Sequence, residues 1–116
     1  MKICQLAQII DAQFVCGEEN KEKEISSAFA CDLMSDVLAY VNESNGVLLS
    51  GLSNPQVVRT AAMMDMSCVV LVRNKMPDKK TIELAKQNDI VILLCQHNMY
   101  QTCGLLFNAG LRGDKA

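Results

Sequence analysis

Three short apolar runs in the second half of the chain each run into a polar turn, and a helix-patterned stretch follows each turn. Val47-Leu48-Leu49 leads to Ser50-Gly51-Leu52-Ser53-Asn54-Pro55, Cys68–Val72 leads to Arg73–Asp78, and Ile90–Leu94 leads to Cys95-Gln96-His97-Asn98. Unbroken Val, Ile and Leu runs suit strands buried on both faces of a parallel sheet, with the intervening helices as crossovers. The pattern predicts an α/β fold: a single three-layer domain with a mostly parallel sheet and helices on its faces. Each polar turn then stands at the carboxyl end of a strand, where open α/β sheets bind ligands.

The first part of the chain is less regular. Residues 3–11 carry Ile3, Leu6, Ala7 and Ile10 at helical spacing, and a short strand at Gln13–Cys16 and a turn at Gly17 follow. Glu18–Glu24 is dense in charge and reads as a solvated loop. Residues 1–24 therefore form an N-terminal helix, short strand and charged loop, and residues 25–113 the main α/β unit. That unit opens with a strand at Ile25–Ala30 and a helix from about Leu33 to Val41, which Asp32 is placed to cap. Pro55 and Pro77 fit helix starts, Ser53 or Asn54 caps the first of these helices, and Asn98 caps the last. Gly110 and Gly113 end it.

A length of 116 residues suits one domain, and half of the residues are apolar, as in a globular protein. A net charge of −2, scarce aromatic residues and no Trp offer neither the basic face nor the stacking platforms that nucleic acid needs. No apolar run approaches the roughly 18 residues of a membrane span, so a cytoplasmic protein is expected. The six cysteines Cys4, Cys16, Cys31, Cys68, Cys95 and Cys103 include no C-x-x-C pair. They read as small apolar fillers in a reducing cell, or, on count alone, as ligands of an iron–sulfur cluster. No cofactor is required by the sequence.

Ser50–Gln56 is the best anion-site candidate. Gly51 permits close backbone approach, Ser53, Asn54 and Gln56 offer polar groups, and a helix N-terminus follows. Arg59, one turn into that helix, is expected to reach back toward Ser50, while Arg73, Gln96 and His97 extend a cationic rim along the same sheet edge. The chain has no Gly-Lys-Ser/Thr phosphate loop, and a lone histidine rules out paired-imidazole metal binding. Cys95 and His97 share a strand face at most, with no third group to complete a nucleophilic site. Asp32 and Asp36, four apart, would lie on one helix face as a carboxylate pair, although cap and helix-dipole roles already explain them. Met63, Met64 and Met66 read as core or subunit-contact residues.

Asp32–Ala39, the segment Gly51-Leu52-Ser53-Asn54-Pro55-Gln56-Val57-Val58-Arg59-Thr60-Ala61, Val70–Pro77, Met99–Leu106 and Gly110-Leu111 together resemble DRTGG-domain proteins of the stand-alone bacterial type. That family is similar to the N-terminal domain of HPr kinase/phosphorylase and occurs with CBS domains in regulated pyrophosphatases. The pentapeptide that names it is replaced here, since the corresponding strand end reads Val72-Arg73-Asn74-Lys75. The resemblance implies a non-catalytic regulatory or protein-interaction domain, a homodimer, sensing an adenine nucleotide or other small anion. Because some family members are encoded beside iron-only hydrogenase genes, it also implies an alternative role as an accessory protein of hydrogenase or other iron–sulfur metabolism, with a hydrogenase-system protein as partner.

Overall fold

The apolar runs form neighbouring strands of one sheet. The structure, a computed structural model describing residues 1–115, contains β1 (Gln13–Cys16), β2 (Ala28–Ala30), β3 (Val47–Ser50), β4 (Cys68–Leu71) and β5 (Val91–Leu94) in the order β1-β5-β4-β3-β2. β2 to β5 are parallel, and β1 closes the far edge antiparallel to β5. The helices are α1 (Ile3–Ile9), α2 (Met34–Tyr40), α3 (Pro55–Met63), α4 (Lys79–Gln87) and α5 (Met99–Asn108). Right-handed crossovers that step across the sheet in one direction place their helices on one face. Accordingly α2, α3 and α4 cover one face, and α1 and α5 the other.

Alternation along the strands divides the core in two. Val47, Leu49, Val70, Leu93 and Cys95 meet Leu6, Ile10 and Leu106 on the α1/α5 side. Leu48, Val69, Leu71 and Ile92 meet Val37, Val57, Val58 and Ala61 on the α2–α4 side. The central strands are buried on both faces, which is why their sequences show no polar alternation.

Several boundaries depart from expectation. The second strand is only Ala28–Ala30: before it, the Ile25 amide donates to the Met1 carbonyl and the Ser26 amide to the Asn45 carbonyl, so only the last part of the expected segment is regular strand. Its outer edge is covered by the chain end: Ala28 N–H donates to the Arg112 carbonyl, and Gly113 bridges to Ala28 and does not cap α5. Pro77 stands one residue before the cap Asp78 of α4, outside the helix. α2 starts at Met34 behind Leu33, whose side chain makes no cap bond, so Asp32 is neither its cap nor on one helix face with Asp36. Asn54 and Asn98 do cap, accepting from the amides of Gln56 (3.0 Å) and Gln101 (2.8 Å). Met66 is buried and Met64 half-buried, while Met63 is exposed. Among the described residues no helix is long and apolar enough to cross a membrane.

Candidate functional site

Parallel register brings three strand ends side by side. Ala30 pairs with Leu49 and Ser50 with Leu71, so Asp32, Gly51 and Arg73 emerge as neighbours just beyond β2, β3 and β4. Asp32 uses its carboxylate there. Its Oδ1 accepts from the Gly51 amide at 2.6 Å and from the Ser50 hydroxyl at 3.1 Å, while Ser50 Oγ accepts from the Leu52 amide at 3.1 Å. The fully buried Ser50 hydroxyl is thus satisfied in both directions, and it ties the turn after β3 to the turn after β2. The amides of Gly51 and Leu52, which an incoming phosphate would have used, already have partners.

Arg73 and Asn74 both hold left-handed backbone, with φ of 57° and 56°. Their amides donate to the carbonyls of His97 and Cys95, each at 2.8 Å, joining the turn after β4 to the turn after β5. Left-handed conformation costs a non-glycine residue about 1–2 kcal/mol, which these two bonds help offset. The Arg73 side chain then lies over Gly51. A Cβ added at Gly51 would stand 2.5 Å from Nη2 of Arg73 and 3.5 Å from Oδ1 of Asp32. The absence of a side chain at 51 thus leaves room for the guanidinium in this position, and a larger residue there would push the exposed end of Arg73 aside. Among the described residues Arg73 makes no ion pair, and the second oxygen of Asp32 accepts no hydrogen bond. A free guanidinium beside a free carboxylate oxygen suits a ligand carrying both an anionic group and hydroxyls.

The other expected site residues divide between this cluster and the surface around it. Ser53 lends its carbonyl to the Thr81 hydroxyl at 3.5 Å, and Asn54 is engaged as the α3 cap. Gln56 and Gln96 are exposed, and His97 is half-buried with its carbonyl held by Arg73. Arg59 does not reach back to Ser50. Val57, Val58 and Ala61 face the sheet, which turns Arg59 outward into a groove with Lys80, Glu83 and Gln87 of α4. Asp32 and Asn74 are additions to the expected set. An acidic residue just past one strand, opposite Ser-Gly at the end of the next, is the signal that could have revealed Asp32.

Cys95 is buried in the α1/α5 core, with Sγ 3.4 Å from the Ile10 carbonyl and 3.6 Å from Thr102 Oγ1. All six cysteines are free: Cys16, Cys68 and Cys95 are buried, and Cys4, Cys31 and Cys103 half-buried. Burial pushes the Cys68 thiol far above its ordinary range and raises those of Cys16 and Cys103 as well. A thiolate-directed reagent at mildly alkaline pH should modify Cys4 and Cys31 in the native protein, and Cys16, Cys68 and Cys95 only after unfolding. Native-state labelling of Cys68 would contradict this burial.

A family model described as the DRTGG domain matches residues 5–109. Among solved structures, the chain is similar to the CBS and DRTGG domains of the regulatory region of Clostridium perfringens pyrophosphatase, solved with the activator diadenosine tetraphosphate. The TM-score is 0.69 at 15% identity, over 90% of this chain and 45% of that one, a likeness of fold. No curated protein matches the chain.

Proposed function

This chain belongs to the DRTGG domain family, and from that premise we propose that it is a non-catalytic regulatory domain, acting as a homodimer, whose strand-end face senses an adenine nucleotide. The observation that carries the reading is the unpaired Arg73 guanidinium beside the free oxygen of Asp32, over Gly51. Guanidinium suits phosphate oxygens, and a carboxylate suits ribose hydroxyls. The similar pyrophosphatase region was solved with a dinucleotide activator, which supports the ligand class. Ser50 is committed to its own turn, and Cys95 to the core, so neither serves as a nucleophile next to a base. Catalysis is accordingly not part of the reading.

The alternative, a cluster-binding accessory of hydrogenase metabolism, draws little support from the thiols. They are spread over both layers and both sheet edges, and among the described residues no three His, Cys, Asp or Glu stand together to hold a metal ion.

Thermal shift of reduced protein with adenine and guanine nucleotides, against phosphate and sulfate, tests the sensor. A nucleotide at ~100 times its dissociation constant adds about 2.7 kcal/mol to the native state, and raises Tm by several degrees. Arg73→Ala should abolish that rise and leave the unliganded Tm within about 2 °C. An equal rise in the variant removes this site, and no rise with any nucleotide removes the sensor.

A further inference from the structure

Arg73 and Asp32 reach the Gly51 turn from two different strand ends and stop short of each other. The place a Cβ would take at Gly51 stands 2.5 Å from Nη2 of Arg73 and 3.5 Å from Oδ1 of Asp32. The sum of those two distances is the most that can separate the guanidinium from the carboxylate. Among the described residues neither forms an ion pair, so their nearest nitrogen and oxygen are more than ~4 Å apart. Asp32 is held back from closing the gap, because Oδ1 accepts from the Gly51 amide at 2.6 Å and from the Ser50 hydroxyl at 3.1 Å.

We propose that this gap seats one sugar hydroxyl, so that the domain takes ribonucleotides in preference to their deoxy forms, with Asp32 as the selecting residue. The inference rests on the nucleotide reading above and names which part of the ligand meets which residue. A bridging oxygen needs about 2.9 Å to a guanidinium nitrogen and about 2.6 Å to a carboxylate oxygen. Those lengths span the gap with one oxygen atom and leave no room for a second.

The chemistry of that atom is fixed from both sides. It must accept from the guanidinium, which only donates, and donate to the carboxylate, which only accepts. A hydroxyl does both. A phosphate oxygen only accepts, and its charge is repelled by the carboxylate. The ring nitrogens of adenine likewise only accept, and its exocyclic amine only donates. Within an adenine nucleotide this leaves the 2′- and 3′-hydroxyls of the ribose. The guanidinium carries five N–H donors, so those turned away from Asp32 stay available to a phosphate.

Thermal-shift titrations with ATP, 2′-deoxy-ATP and 3′-deoxy-ATP, on the wild type and on Asp32→Asn, give the dissociation constants that test the proposal. A hydrogen bond to an ionised group sets the scale, so at least one deoxy form should bind the wild type roughly 10–100-fold more weakly than ATP. Asn keeps an oxygen for the Gly51 amide, and Asp32→Asn should retain the wild-type circular dichroism while binding all three nucleotides with nearly equal affinity. Asp32→Glu, which displaces the carboxylate by one methylene, should narrow the same ratio and serves if Asp32→Asn does not fold. Equal affinity of the wild type for all three overturns the inference and leaves nucleotide sensing standing. Undiminished discrimination in a folded Asp32 variant also overturns it, because the sugar then meets other residues. No shift with any of the three overturns the nucleotide reading, and this inference with it.

Discussion

Gly17→Ala is expected to destabilise the protein by about 2–5 kcal/mol, one of the largest costs available to a single methyl group in this fold. Gly17 follows β1 with φ +83°, a backbone that costs an alanine about 1–2 kcal/mol. An added Cβ would also stand 2.9 Å from the Cα of Val91 and 3.0 Å from its side chain. Val91 lies in β5, held by β1 on one side and β4 on the other, so its backbone cannot retreat. Gly110 supplies the control. Its φ is +103° with no heavy atom within 4 Å of the Cβ position, so Gly110→Ala should show the conformational cost alone, about 1–2 kcal/mol. Urea melts of both variants measure the difference. Equal costs would mean that the contact with Val91 contributes nothing.

The part of this fold that depends on local pattern was legible in the residues. Val47–Leu49, Cys68–Val72 and Ile90–Leu94 could be read as parallel strands because burial on both faces removes polar alternation. Asn54 and Asn98 could be read as caps because a cap and the amide it meets lie within three residues. Asp32 was misread for the complementary reason. The local option, capping the next helix, lost to the amide and hydroxyl of the Gly51 turn some nineteen residues away, whose proximity exists only once β2 and β3 are in register. The left-handed backbone of Arg73 gives no local signal either, since glycine is the usual mark of that conformation, and Asn74 beside it gives only a weak one. Strand order was equally hidden. Gln-Phe-Val-Cys in β1 says nothing about joining β5 antiparallel across seventy residues. Arg59, in contrast, was readable: with positions 57, 58 and 61 facing the sheet, helical rotation already turns position 59 outward.

Leu93→Ala should cost about 2–5 kcal/mol, which is a large share of the 5–15 kcal/mol typical of a native protein. Leu93 is fully buried in β5 with strands on both sides, so the surrounding backbone has little freedom to collapse into the space left. At about 3–6 °C per kcal/mol for a chain of this size, Tm should fall by about 6–30 °C. The two-layer core makes a sharper statement possible. Leu93 belongs to the cluster that α1 and α5 complete, together with Ile10, whereas its neighbour Ile92 belongs to the cluster beneath α2–α4. Ile92→Val, costing about 0.5–1.5 kcal/mol alone, should therefore add to Leu93→Ala within about 0.5 kcal/mol although the two residues are adjacent in sequence. Ile10→Val shares its cluster with Leu93 and should depart from additivity by more than that, because one cavity changes the space left for the other. Denaturation midpoints of the three single and two double variants decide the matter. Strong coupling between positions 92 and 93 would mean that the strand backbone moves to fill the cavity, and that the two faces of the sheet are not energetically separate.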